Sequence, residues 1–496
     1  MGRLRALAKD TAIYGMSSIV GRFINYLLVP LYTARISAES GGYGVITNIY
    51  SYVALMLVIL TYGMETSFFR FANKDGTDAQ KVYATTLASV GFTSVLFVAV
   101  VLLFLSPISS AMGYASHPSY VWVMAVTVAI DAFQCIPFAY LRYKKRALKF
   151  AALKLLFIGM NLSMNIIAFV ALPSLTGHAT DVGYAFYINL ACTAAITLFL
   201  RCELRDAFVW SAGKKVDLSL LREMLRYGWP ILVLGLAGIL NQTADKILFP
   251  YLYKESDALA QLGIYGAATK IAMIMALITQ AFRYAYEPFV FAEAGHGADN
   301  RAVYARAMKY FVIFTLLAFL AVCAYINILR YIIGRDYWPG LRMVPAVMLA
   351  EMMMGVYFNL SFWYKLTDRT VWGAVFSGIG CAVLVAINVV GVPRWGYAAC
   401  AAGGVGGYGT AMVLSYVVGQ HYYPISYPLK DILLYVLLAA ALFVGITTSN
   451  KSLPVWGAVC VNTVAVALFG AVAVRRDIDI RSFKGINKIF HKRTKA

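Results

Sequence analysis

Charged residues are sparse. They make up 13% of the 496 residues, against 61% hydrophobic ones, and mean hydropathy is +0.71. An ordinary soluble domain carries about twice that charged fraction, so a large water-facing catalytic body is excluded. No Gly-x4-Gly-Lys-Ser/Thr loop occurs, which argues against ATP as a direct energy source. The 5 histidines are scattered, without His-Glu-x-x-His or a Cys/His spacing for zinc, so neither a metal nor an organic cofactor is expected. The 7 cysteines (Cys135, Cys192, Cys202, Cys323, Cys381, Cys400, Cys460) contain no Cys-x-x-Cys and lie in or beside apolar runs, so free thiols are expected. Acids are also few: 23, against 43 Lys and Arg, for a formal net charge of +20. The basic residues are dispersed among many short loops, which makes nucleic acid the weaker reading, and no nucleic-acid partner is expected.

What fills the chain instead is apolar sequence. Fourteen stretches of roughly 20 residues follow one another from Thr11 to Val474, the length a helix needs to cross a hydrocarbon core about 30 Å thick. Only a helix satisfies its own backbone there. The spans read as 11–34, 43–64, 82–106, 119–141, 153–173, 182–200, 228–252, 262–284, 310–330, 342–364, 370–392, 396–419, 431–449 and 454–474. Of the 43 Lys and Arg, 33 fall in alternate gaps and termini and 7 in the others, while Arg22, Lys246 and Lys270 lie inside spans. By the positive-inside rule both termini face the cytoplasm. The basic loop 142–154 and the tail also suit anionic membrane lipids. The first apolar run lacks a small-residue cleavage site and reads as a retained helix.

The chain also repeats itself. Tyr14-Gly15, Asn25, Pro30, Tyr32 and Tyr43-Gly44 are echoed by Tyr227-Gly228, Asn241, Pro250, Tyr253 and Tyr265-Gly266. From Tyr43 onward the register is constant, pairing Tyr62 with Tyr284, Glu65 with Glu287 and Phe69 with Phe291. The expected fold is all-α, a polytopic membrane protein of 14 transmembrane helices. It comprises two pseudo-symmetric six-helix halves, 1–212 and 213–425, a further helix pair in 426–475, and a basic cytoplasmic tail, 476–496. Corresponding spans run in the same direction, as in parallel transporter repeats. The Gly403–Gly407 run fits close helix packing rather than phosphate binding.

Leu7-Ala-Lys-Asp-Thr-Ala-Ile-Tyr-Gly15, Val29-Pro-Leu-Tyr32, Gly42-Tyr-Gly-Val45, Phe68-Phe-Arg-Phe71 and the Pro137, Leu141-Arg142, Arg146, Phe150 series carry a resemblance. They resemble polysaccharide-biosynthesis, Wzx-type flippases of the multidrug/oligosaccharidyl-lipid/polysaccharide exporter superfamily, over essentially the whole chain. The resemblance implies alternating-access export of an undecaprenyl-pyrophosphate-linked oligosaccharide across the bacterial inner membrane. It also implies a polysaccharide polymerase and glycosyltransferases as partners.

A charge near the bilayer centre costs about 2.5–3.5 kcal/mol on insertion scales, so it persists where it faces a cavity or a partner. Arg22, near the middle of the first span with Asn25 one turn on, suits a pyrophosphate because its planar fork matches phosphate oxygens. A structural pair with Asp131 or Glu351 is the other reading. Asn241 and Asp245, with Gln242 and Lys246, form a polar stripe on the seventh span. Lys246 and Lys270 are cavity candidates that could instead snorkel outward. Asp131, Asp245 and Glu351 are candidates for coupling H+ or Na+; burial of Asp131 and Glu351 favours the neutral carboxyl and would let either take up a proton. Glu65 and Glu287 sit at the cytoplasmic rim beside Arg70 and Arg283, as an inter-half gate or as plain interfacial salt bridges. A cation-coupled multidrug exporter of the same superfamily and a lipid II-type flippase remain alternatives. A membrane polymerase or glycosyltransferase is disfavoured because every gap on the cation-poor side is short. The protein is therefore expected not to be an enzyme.

Overall fold

The computed structural model describes residues 26–74, 76–177, 180–211, 217–294, 301–367 and 369–477, and every regular element among them is helical. The elements used below are α1 (Leu28–Arg35), α2 (Gly42–Thr61), α3 (Met64–Ala72), α4 (Ala79–Leu103), α5 (Pro118–Tyr143), α6 (Ala147–Ile166), α7 (Gly183–Phe199) and α8 (Leu218–Leu252). They continue with α9 (Ala258–Ala294), α10 (Arg301–Ala324), α11 (Val344–Leu360), α12 (Val371–Trp395), α13 (Tyr397–Tyr422), α14 (Leu429–Ser452) and α15 (Val455–Arg476). Twelve helices among the described residues are long and apolar enough to cross a membrane. A thirteenth is counted when α7 and the segment Arg201–Ala207, which meet at 59°, are taken as one span. Most of the expected first span, 11–34, lies outside the described residues, and only its end is seen, as α1.

Helix ends explain why the chain turns where it does. Asp78 and Asp217 occupy the N-cap positions of α4 and α8, where their carboxylates accept from the free backbone N–H groups of Gln80 (2.9 Å), and of Ser219 (2.9 Å) and Leu220 (3.1 Å). Lys81 reaches Asp217 at 2.5 Å, fastening the two helix starts together at the cation-rich face. The joint between α12 and α13 is a single residue, Gly396, at φ +56°, a conformation that favours glycine.

α2, α4, α5, α6 and α7 pack as one group, and α8, α9, α11, α12 and α13 as another; α14 and α15 pack on α10. Within the second group α12 and α13 approach through glycines, since a Cβ on Gly380 would meet the Gly407 carbonyl and one on Gly407 the Gly380 carbonyl, each at 2.7 Å. The Gly403–Gly407 run is thus a packing surface, as small residues are in membrane bundles generally.

α2 is the helix of the first group that packs most extensively on α8 and α9. At the cation-poor end a Cβ on Gly44 would overlap the Leu259 carbonyl, and one on Gly263 would lie 2.9 Å from the Gly44 nitrogen. At the opposite end Gly63, at φ +74°, lies against the Gly228 carbonyl. Between them Asn48 Nδ2 donates to the Lys246 carbonyl (2.8 Å), and the Tyr52 and Tyr251 hydroxyls are 2.7 Å apart. The cation-poor end is closed further by the 3-10 segment Arg335–Met343. Tyr337 donates its hydroxyl to the Ile36 carbonyl (2.9 Å), and the Gly334 N–H donates to Thr33 Oγ1 (3.0 Å).

Candidate functional site

Two polar clusters lie within the apolar helices, one in each helix group. The first is built on α8, α9 and α11. Asp245, on α8, is 5% exposed and accepts from the Tyr265 hydroxyl (2.9 Å), from the Lys246 backbone N–H (2.9 Å) and from Lys246 Nζ (3.0 and 3.2 Å). Lys246 Nζ also donates to the Gln242 carbonyl at 2.8 Å, so the ammonium folds back onto its own helix instead of extending along it toward the membrane surface. Lys270, half-buried on α9, is within electrostatic reach of Lys246 and forms no ion pair within 4 Å among the described residues. Glu351, half-buried on α11, lies within electrostatic reach of Lys246 and Asp245, and its buried Oε2 has no hydrogen-bond partner. Four ionisable groups from three helices thus face one another, an arrangement with a high solvation cost unless they pair or meet water or a ligand.

Asn241, one turn before Asp245, turns the other way. Its Nδ2 donates to the Ala237 carbonyl (2.8 Å) and to the carbonyl (2.9 Å) and hydroxyl (3.2 Å) of Ser377 on α12, while its Oδ1 is buried without a partner. Side-chain amides bridging membrane helices contribute about 0.6 kcal/mol on average.

The second cluster joins α5, α6 and α7. Asp131 accepts from the Thr193 hydroxyl at 3.3 Å and lies within electrostatic reach of Lys154. Lys154 was expected at the rim, counted with the basic loop 142–154; it sits inside α6, half-buried, its Nζ 4.1 Å from the centre of the Phe138 ring. Lys154 therefore joins Lys246 and Lys270 as a cation held among the packed helices. The helix extends six residues before the expected start at 153, because Ala147 to Leu153 carries the buried apolar positions Ala147, Phe150 and Leu153 at helical spacing.

Glu65 ion-pairs with Arg142 and accepts from the Cys135 thiol (2.9 Å), which links α3 to α5. Arg70, expected beside it, instead lies 4.1 Å from the Tyr227 ring centre. Arg22 and Asn25 lie outside the described residues, as does the side chain of Glu287. Among the described residues no group of three or more His, Cys, Asp or Glu is placed to hold a metal ion.

A family model described as "Polysaccharide biosynthesis protein" matches residues 7–284, more than half of the chain. The chain belongs to that family. A comparison with curated protein sequences finds no match. Among solved structures the fold is similar to "Lipid II flippase MurJ, inward closed conformation", with a TM-score of 0.71 at 12% identity over 93% of this chain and 98% of that one. It is also similar to an inward-facing multidrug resistance MATE family transporter of the MOP superfamily, with a TM-score of 0.65 at 14% identity over 80% and 93%. An outward-facing conformation of a MATE family transporter of that superfamily gives 0.53 at 16% identity over 83% and 95%. This polysaccharide biosynthesis family member is a multi-pass membrane protein with the transporter fold of that superfamily.

In this family member the site residues that the sequence marked are spread over both clusters. Asp245, Lys246, Lys270 and Glu351 come together, whereas Asp131 stands with Lys154 and Thr193. Two contributors carried no signal. Tyr265 was singled out as a repeat position, not as the donor to Asp245, and Thr193 is one hydroxyl among many in apolar sequence.

Proposed function

We propose that this protein translocates an undecaprenyl-pyrophosphate-linked oligosaccharide across the bacterial inner membrane for surface polysaccharide synthesis, by alternating access. It acts as a transporter and not as an enzyme. The observation that carries the reading, beside the family, is Lys270: an intramembrane cation within electrostatic reach of Lys246 and lacking an acid partner within 4 Å among the described residues. Such a group is costly to keep and suits a diphosphate that arrives carrying the opposite charge. Lys246 and Lys154 are further donors, and Arg22 and Asn25 remain candidates from the sequence alone. In this reading the cation-rich face is cytoplasmic, with both termini, and the halves 1–212 and 213–425 rock against each other around the two clusters. The pair 426–475 rides on the second half. The polyprenyl tail stays in lipid while headgroup and glycan pass between the halves. Glu65 with Arg142 is a rim clasp within the first half, and Glu287 is its counterpart by register. A ligand shifts two states only by its difference in affinity for them, so the direction of transport comes from a coupling ion, H+ or Na+, or from consumption by the polymerase.

A second reading is kept by Glu351, whose unpartnered Oε2 suits proton or cation coupling in a multidrug exporter, with Asp131 and Asp245 in the same role. Lipid II-type cargo is the third, since it presents the same diphosphate. The test is flipping in proteoliposomes. The purified chain is supplied with fluorescent undecaprenyl-pyrophosphate oligosaccharides, and exposure to an impermeant glycosidase is timed for wild type, Lys270→Gln and Lys246→Gln. Rapid exposure in wild type and a loss of at least about tenfold in Lys270→Gln is expected, one charge-assisted contact being worth about 1.5–3 kcal/mol. Exposure no faster than in protein-free vesicles across several glycans, alongside proton-driven efflux of a cationic dye, would replace this reading with the exporter.

A further inference from the structure

The positive-inside rule keeps Lys and Arg rare on the outer face of a membrane protein. Of the 7 that this chain places on its cation-poor side, 3 line one cleft of about 620 Å³: Lys254, Arg342 and Arg394. They are brought together from three connections far apart in sequence: the α8–α9 turn, the residues before α11 and the last turn of α12. Arg342 is held in place, donating to the Tyr397 hydroxyl at 2.8 Å with its guanidinium 5.1 Å from that ring's centre. None of the three forms an ion pair within 4 Å among the described residues. Glu255 is the single acid in the lining, with Asp257 within electrostatic reach of Tyr253 beside it, so cations outnumber carboxylates three to two there. The volume falls in the range of roughly 300–1,000 Å³ that small-molecule sites occupy.

We propose that this cleft binds a phosphate group carried on a lipid at the outer membrane surface. Three unpaired cations converging on one opening supply the charge-assisted donors that phosphate oxygens require. The lipid origin follows from what borders the cleft. Trp395, in the lining, is 63% exposed, as interfacial indoles are. Below it on the same helix, Val389 and Val390 are 47% and 58% exposed and form an apolar flank for acyl or prenyl chains. All the lining residues lie between Leu252 and Tyr397, and neither Lys246 nor Lys270 is among them. The cleft therefore adjoins the Asp245 cluster without sharing its cations, the Tyr397 ring standing 6.4 Å from that of Tyr265, the donor to Asp245.

Two sources offer this chemistry: an anionic phospholipid resident in the outer leaflet, and the diphosphate of a lipid-linked product just delivered there. The experiment is native mass spectrometry of the full chain from phosphatidylcholine nanodiscs titrated with phosphatidylglycerol or undecaprenyl pyrophosphate. Wild type is compared with Arg394→Gln and with the triple change Lys254→Gln, Arg342→Gln, Arg394→Gln. Binding of at least one of the two lipids is expected to weaken about tenfold or more in the triple variant, given roughly 1.5–3 kcal/mol for each hydrogen bond to a charged group. Arg394→Gln, at an exposed position, reports the same loss in part should the triple variant fold poorly. Preferential loss of phosphatidylglycerol assigns the site to a resident lipid, and preferential loss of undecaprenyl pyrophosphate to the product. Adducts unchanged in both variants, or displaced equally by inorganic phosphate at the same concentration, would overturn the proposal.

Discussion

Adding one methyl group at Gly44 tests whether the cation-poor end opens along the α2–α9 seam. In the closed arrangement a Cβ there overlaps the Leu259 carbonyl and also comes within 3.1 Å of the Gly263 nitrogen. All these atoms belong to helical backbone, so no side-chain rotation relieves the clash and the two helices must separate. Overpacking of this kind costs about 1–3 kcal/mol, and the cost falls only on the state in which the helices touch. The equilibrium toward a state separated at this end should therefore move by about 5- to 150-fold in Gly44→Ala. The assay is hydrogen–deuterium exchange of the reconstituted chain, following amides of 42–48 and 258–266. Faster exchange in both segments, with the α12–α13 packing segment unchanged, is the expected result. Gly159→Ala is the control, because nothing lies within 4 Å of a Cβ at that position. Exchange at 42–48 and 258–266 equal to wild type in a folded Gly44→Ala protein would show that this contact does not separate in the cycle, and the reasoning would be wrong.

Three further outcomes are expected. Asn462, fully buried on α15, donates to the Ala324 carbonyl (3.0 Å) and to Asn450 Oδ1 (2.9 Å); Asn462→Leu should destabilise the α10, α14 and α15 assembly by about 1–2 kcal/mol, read as a lower midpoint in thermal unfolding in detergent. The Lys81 ammonium, then the Ser219 and Leu220 donors, hold the Asp217 carboxyl well below the usual aspartate range. A lowered value stabilises the fold above the ordinary pKa, near about 4, and that contribution is lost as pH falls through the folded value; the thermal midpoints of wild type and Asp217→Asn should therefore converge on acidification below about pH 4, and a constant gap would contradict the assignment. Glu65 and Arg142 are 37% and 33% exposed, so Glu65→Gln should cost at most about 1 kcal/mol of stability; a larger loss in denaturant unfolding would give the pair a heavier structural role.

The helical, membrane-spanning class was legible in the sequence because hydropathy and helix length are local quantities that the bilayer imposes on each span separately. The alternation of basic loops was legible for the same reason, and short motifs sufficed to indicate the family. Span ends were less so. Lys154 read as a loop cation because charge usually marks the membrane surface, whereas in the fold Asp131 on α5 and Phe138 lie beside it and keep it inside α6. The candidate site shows the same division. Intramembrane charge singled out Asp245, Lys246, Lys270 and Glu351 one at a time, since each is costly wherever it sits. That Lys246 bonds back to Asp245, that Lys270 comes near Lys246 without an ion pair, and that Asn241 turns to Ser377 depend on helix rotation and on how separate helices pack. The same holds for the outer cleft: Lys254, Arg342 and Arg394 are ordinary loop and helix-end residues in sequence. Only tertiary packing carries them to one opening, because no local pattern encodes the distance between separate turns.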